Sequence, residues 1–230
     1  LIDGPNVKNL EKKVSNLFGK KYGLMVNSGS SANLLALSSF NFKPGSEVIT
    51  PNLTFSTTVA PIYQLGLVPH FIGVEANKFL ANVDDIEKSI NKKTVAIMIP
   101  NLLGNVCDWK KIHKIAKKYN IYILSDLAYS EIYFDDNPPP SILEVNGAKK
   151  VAVEFTTLSK TYAMTGWRLG YGIFPKSIFK YAEKLAINCH SCVSIPHQIA
   201  GIEALNGDQS SVNSMIDEFK VRRDFLVKEL

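Results

Sequence analysis

The chain has 230 residues, 46% of them hydrophobic and 20% charged, and its 26 Lys and Arg against 21 Asp and Glu leave a net charge of +5. These proportions are those of a globular protein, and no apolar run reaches the roughly 18 residues that a membrane span needs. Three cysteines argue against a disulfide framework and for a reducing, cytoplasmic setting.

The first five residues lack the basic and apolar segments of a secretory leader. The chain begins with Leu rather than Met, which marks it as a candidate fragment. Residues 6–18 are predicted to form a helix with Val7, Leu10, Val14 and Leu17 inward and Gly19 as its stop. Residues 22–26 are a short buried strand. The small-residue turn Asn27-Ser28-Gly29-Ser30-Ser31-Ala32-Asn33 then leads into an apolar helix over 34–40. A strand, a small-residue turn and a helix start make an anion site, because N–H groups of the first helical turn point outward and the helix dipole favours negative charge. An ordinary N-cap by Ser28 or Ser30 explains the same residues taken alone.

Strands are predicted over 47–50, 67–74, 94–99 and 121–124. A helix opens at Thr54 and stops at Gly66; Phe55 near its start is placed either to stack on a planar ring or to fill the core. Further helices span 83–90 and a segment capped by Asp108 that runs to Tyr119. The second carries Lys110, Lys111, Lys114, Lys117 and Lys118, with Ile112, Ile115 and Ala116 inward. No aromatic residues interleave with these lysines, so the run is a solvated helix face rather than a nucleic-acid patch.

Asp126 stands at the exit of the 121–124 strand, with Tyr129 three residues on. Asp135 to Pro140 must be a surface loop. After a strand over 151–155 comes Thr156-Thr157-Leu158-Ser159-Lys160-Thr161-Tyr162, and then Gly166-Trp167-Arg168-Leu169-Gly170. A strand over 170–174 and helices over 177–187, 194–205 and 211–230 complete the chain. Cys189-His190-Ser191-Cys192 has no second pair to complete a zinc site, and its thiols are expected to be buried or to line a helix. Alternating apolar strands and helices predict a three-layer α/β/α fold with a mostly parallel sheet covered on both faces. Ligands bind such sheets beyond the carboxyl ends of the strands, where Gly29-Ser30-Ser31, Asp126 and Lys160 all fall.

A lysine at a strand exit can enter a cleft, where desolvation would make it a usable amine nucleophile. Arg168, on a glycine-bracketed turn, suits a phosphate. Taken singly, the two residues fit equally well as a surface lysine and a salt-bridged arginine. Together they match what pyridoxal phosphate chemistry requires: an amine, a phosphate clamp and a carboxylate to keep a ring nitrogen protonated.

The ordered run Ser159-Lys160-Thr161-Tyr162 followed by Gly166-Trp167-Arg168-Leu169-Gly170 resembles the lysine signature of class I/II aminotransferases, which have the fold-type-I pyridoxal phosphate fold. The resemblance implies that Lys160 forms a Schiff base with pyridoxal 5'-phosphate. It implies that Asp126 pairs with the ring nitrogen, that Tyr129 donates to the phenolate oxygen and that Phe55 caps the ring. The implied phosphate ligands are Gly29, Ser30, Ser31, Thr157, Ser159 and Arg168, and Asn105 or Asn101 is the implied second contact to the phenolate oxygen, with Asn105 the choice for the site.

Residues 9–107 are similar instead to the DegT/DnrJ/EryC1/StrS sugar aminotransferases, through Val26 to Asn33, Glu47 to Pro51, Gly66 to Pro69 and Leu103-Gly104-Asn105. Residues 108–230 resemble the alanine and diaminopimelate type, through Ser130 to Phe134, Pro138 to Val145 and Val151 to Phe155. A seam is therefore expected near 107–108 within one cofactor-binding large domain over 1–230. Its helices over 194–230 lead toward a small domain largely outside the chain. Tyr129 stands where the sugar group has glutamine, and Lys160 where that group's sugar-nucleotide 3-dehydrase branch, which residues 9–107 resemble most, has histidine. The expected activity is amino transfer between an amino acid and a 2-oxo acid, with a small-molecule donor and acceptor, in a homodimer without nucleic acid or membrane. The alternatives are a sugar-nucleotide aminotransferase and a cofactor-binding domain without turnover.

Overall fold

Runs of β-branched and apolar residues alternate along the chain with helical segments, and the computed structural model gathers the runs into one seven-stranded sheet. The structure describes residues 4–135 and 137–230; residues 1–3, and Asp136 of the predicted loop, lie outside the described residues. In chain order the elements are α1 (Pro5–Leu17), β1 (Gly23–Val26), α2 (Gly29–Ser38), β2 (Glu47–Pro51), α3 (Ser56–Gln64), β3 (Val68–Ile72), α4 (Val83–Ser89) and β4 (Thr94–Pro100). There follow α5 (Trp109–Tyr119), β5 (Tyr122–Asp126), β6 (Ala152–Thr157), α6 (Leu158–Thr161), β7 (Gly170–Ile173), α7 (Lys176–His190), α8 (Ile195–Asn206) and α9 (Ser210–Glu229).

The strand order is β1-β7-β6-β5-β4-β2-β3. β7 runs antiparallel to both its neighbours, and the remaining pairs are parallel. Side chains alternate across the strands. Ile97 and Ile99 of β4, with Ile123 of β5, pack into one core with α1 and α5. Ala96, Met98 and Leu124 point the other way, into a core with α2, α3 and α7. Two apolar layers on one sheet make the predicted three-layer α/β/α architecture.

α5 forms where its pattern places it. Asp108 caps it by accepting the Lys111 N–H at 3.0 Å, Asn120 ends it in the left-handed conformation, and Ile112, Ile115 and Ala116 are buried.

Three details depart from expectation. α2 begins at Gly29, five residues before the predicted start, because Ser28 caps it and accepts the Ser31 N–H at 3.1 Å. Leu17 is 63% exposed, since α1 ends there and Val14 and Ser15 take the inward positions of its last turn. Cys189 and Cys192 are exposed rather than buried, at the end of α7 and just past it. Among the described residues no helix is long and apolar enough to cross a membrane.

Candidate active site

The carboxyl ends of parallel strands β1, β4, β5 and β6 open onto a cavity of about 350 Å³, within the usual range for small-ligand sites. Its wall includes Gly29, Ser30, Phe55, Asp126, Tyr129, Thr157, Ser159, Lys160 and Arg168. Nine of the sequence-predicted site residues thus share one cavity. Ser31 and Asn105 are not among the lining residues. The Ser31 hydroxyl donates to Asn27 Oδ1 in the cap of α2. Asn105 lies beyond Leu103 and Gly104, whose left-handed backbone (φ 55° and 88°) turns the chain there. Asn101 occupies the wall instead.

Each wall residue is placed by local chemistry. At the start of α2, the Ser31 N–H is held by Ser28 Oγ and the Ala32 N–H by Ser28 O at 3.0 Å. The first N–H groups of a helix have no partner within it, so those of Gly29 and Ser30 suit an anion. Gly170 lets β7 close against this turn, since a Cβ there would meet the Ser28 carbonyl carbon at 2.7 Å. Thr157 ends β6 and caps α6; its hydroxyl accepts the Ser159 N–H at 3.2 Å and donates to Leu169 O at 2.9 Å. Left-handed residues Ala163 and Arg168 fold the following segment back. There Thr165 donates to Ser159 O at 3.2 Å, and Arg168 Nη1 donates to Thr165 O at 3.0 Å.

Lys160 projects from α6 with its Nζ 5.5 Å from the centre of the Tyr129 ring, a cation–π distance. The desolvation expected of Lys160 is not found: its side chain is exposed, because a four-residue helix at the cavity mouth leaves its stem in solvent. Phe55 is likewise exposed at the mouth, as the residue preceding α3.

Asp126 is the last residue of β5, and the Asn101 N–H donates to its carbonyl at 2.9 Å. Burial pushes its carboxyl up from 3.8 to about 6, opposed by hydrogen bonds from the Asn33 side chain and the Ala128 N–H. Asn33 Nδ2 lies 3.4 Å from Asp126 Oδ2. The amide of Asn101 is 3% exposed, its Oδ1 accepts the Cys107 N–H at 3.3 Å, and its Nδ2 has no partner among the described residues. A buried donor without a partner on a cavity wall is a place for a ligand oxygen.

Sequence reasoning passed over Asn33, which reads as one polar interruption of an apolar helix. It also passed over Glu154, which sits inside the apolar 151–155 run. Glu154 is buried away from the cavity; Ser125 Oγ (2.9 Å), Ser141 Oγ and the Ile142 N–H (3.3 Å) all donate to it. The chemistry of the wall fits a phosphorylated, planar, nitrogen-containing ring. A helix start suited to an anion, a carboxylate, an exposed amine and an unpaired amide donor all line the same cavity.

Comparison with known proteins finds similarity to aminotransferases. The model of the DegT/DnrJ/EryC1/StrS aminotransferase family matches residues 1–131, extending past the expected seam. LL-diaminopimelate aminotransferase of Aquifex aeolicus is 37% identical over 200 residues, covering 81% of this chain and 50% of that protein. Glutamate-pyruvate aminotransferase AlaC of Escherichia coli is 30% identical, covering 97% of the chain and 58% of that protein. The crystal structure of an aromatic aminotransferase from Pyrococcus horikoshii superposes with a TM-score of 0.89 at 26% identity, over 98% of this chain and 65% of that one. The chain therefore spans between half and three-fifths of the length of these two sequence relatives.

Proposed function

The chain belongs to the DegT/DnrJ/EryC1/StrS aminotransferase family, and from that premise we propose that it uses pyridoxal 5'-phosphate to move an amino group between an amino acid and a 2-oxo acid. The observation that carries the reading is the convergence of Lys160, Asp126 and the start of α2 on one 350 Å³ cavity. When bound, the cofactor supplies an electron sink for the C–H bond broken at the substrate carbon.

The protein's own groups divide the remaining work. Lys160 would hold the cofactor through its amine and, once free, would carry the proton to and from the substrate carbon. The Asp126 carboxylate holds the proton on the ring nitrogen. Tyr129 donates to the ring phenolate oxygen, and Asn101, with its unpaired amide, is better placed than Asn105 to be the second donor there. Gly29, Ser30, Thr157, Ser159 and Arg168 hold the phosphate. Phe55 covers the ring face and excludes water.

Tyr129 and the amino-acid aminotransferases named among the relatives favour amino-acid substrates. The family match over residues 1–131 supports a second reading, a sugar-nucleotide acceptor. Exposed Phe55 and Leu103 on the cavity wall support a homodimer; a cytoplasmic setting and small-molecule partners belong to the same proposal.

The test is an absorbance spectrum of the purified protein with pyridoxal 5'-phosphate, before and after amino donors, followed by borohydride reduction and peptide mapping. A yellow band that bleaches with an amino acid, and label on Lys160, is the expected result. Label on another lysine overturns the reading. A band that never bleaches reduces the protein to a cofactor binder without turnover.

A further inference from the structure

Asn33 is 1% exposed on α2, one helical turn beyond Gly29, among Ala32, Leu35, Ala36 and Leu37. A buried amide in apolar surroundings is costly unless its polar atoms are used. Its Oδ1 has no partner among the described residues. Its Nδ2 has one, Asp126 Oδ2 at 3.4 Å. The opposite amide orientation would set a carbonyl oxygen against the carboxylate, so Asp126 itself fixes which way Asn33 points. Helix α2 thus contributes twice: Gly29 and Ser30 of its first turn line the cavity, and Asn33, one turn on, touches the Asp126 carboxylate.

We propose that Asn33 is a positioning residue for Asp126, holding one carboxylate oxygen against α2, with the other left to the ligand, and keeping the group ionised at neutral pH. This rests on the reading of Asp126 as the partner of the cofactor's ring nitrogen. The groups facing that carboxylate are the Asn33 amide from α2 and the Ala128 N–H from the loop after β5. Lys160 from α6, with Tyr129 and Arg168, shares its cavity. A neutral donor stabilises the ionised form without changing the charge of the site. Replacing Asn33 by leucine keeps the branched shape and the number of side-chain heavy atoms, adds volume, and removes the donor.

The experiment is a carbon-13 NMR titration of the Asp126 carboxyl in the cofactor-free protein and in Asn33→Leu. The expected result is a midpoint about one unit higher in the variant. In the unsubstituted protein, the Asn33 side-chain amide resonances should shift with the same midpoint as Asp126; this needs no variant to fold. An unchanged Asp126 midpoint in a folded Asn33→Leu protein overturns the proposal, as do Asn33 amide signals that stay flat through the titration. Because both readouts use cofactor-free protein, they stand or fall separately from the cofactor itself. If pyridoxal 5'-phosphate does not bind, the proposed function fails while the coupling of Asn33 to Asp126 is still decided.

Discussion

Gly170 of β7 approaches Ser28 so closely that a Cβ on Gly170 would lie 2.7 Å from the Ser28 carbonyl carbon and 2.8 Å from the Gly29 nitrogen. Both contacts are to backbone, which cannot rotate aside. Gly170→Ala must therefore shift the start of α2, the part of the cavity suited to phosphate. Over-packing of this kind costs about 1–3 kcal/mol. Urea unfolding should show that loss, and the affinity for pyridoxal 5'-phosphate should fall with it. Gly166→Ala is the control, because its Cβ would meet nothing within 4 Å among the described residues; its unfolding midpoint should be nearly unchanged. Equal behaviour of the two variants would refute the packing argument.

Glu154 gives a prediction about pH. Burial raises its carboxyl from 4.5 to about 7, against hydrogen bonds from Ser141, Ser125 and the Ile142 N–H. The folded state therefore holds a proton that the unfolded state has released, and this contribution to stability falls as pH rises from about 4.5 to about 7. Glu154→Gln carries no titrating proton. Its stability relative to the unsubstituted protein should rise across that window, by up to about 3 kcal/mol, and level off above it. Denaturant unfolding at a series of pH values measures the difference directly, and a difference independent of pH would contradict the burial argument.

Much of this was legible in the residues, for a physical reason. Asp126 and Lys160 each follow an apolar run, and the end of a buried strand leads to the carboxyl edge of a parallel sheet. Asp108 and the Ile112, Ile115, Ala116 stripe gave α5 through periodicity and capping, which are local effects. What local pattern does not carry is pairing. The antiparallel insertion of β7 between β1 and β6 depends on partners more than a hundred residues away for β1. Asn33 and Glu154 were hidden for the same reason: a single polar residue in an apolar run shows its purpose only when its partner, Asp126 or Ser125, is brought beside it. The choice between Asn101 and Asn105 depended on the left-handed turn at Leu103 and Gly104, which the identity of Leu103 does not announce.

Tyr129→Phe separates the ring from the hydroxyl. The ring keeps its 5.5 Å contact with Lys160 Nζ, so the folded protein should be as stable as before to within about 0.5 kcal/mol. Under the proposed function, the substitution removes the donor to the phenolate oxygen. A hydrogen bond to a charged oxygen contributes about 1.5–3 kcal/mol, so turnover should fall by about 10- to 100-fold and the pH midpoint of the visible band should move upward. Unaltered turnover and an unmoved band would remove Tyr129 from the chemistry and leave it as a packing partner of Lys160.

Asp126→Asn sets stability against function at one residue. Burial raises the Asp126 carboxyl from 3.8 to about 6, so ionising it in the cofactor-free protein costs stability as pH rises through that interval. Asparagine has nearly the same shape, can still accept from Asn33 Nδ2 through its carbonyl oxygen, and carries no charge to desolvate. The cofactor-free variant should gain on the unsubstituted protein between pH about 4 and 6, by at most about 3 kcal/mol, and keep that gain at neutral pH. Turnover should move the other way, falling about 100-fold or more, because a neutral amide cannot hold a proton on the ring nitrogen through a charge-assisted bond. Calorimetry on cofactor-free protein and a transamination assay on the loaded protein supply the two readings. A variant less stable at pH 7 would show that Asp126 is solvated rather than buried, and one with full turnover would show that its charge does not act on the cofactor.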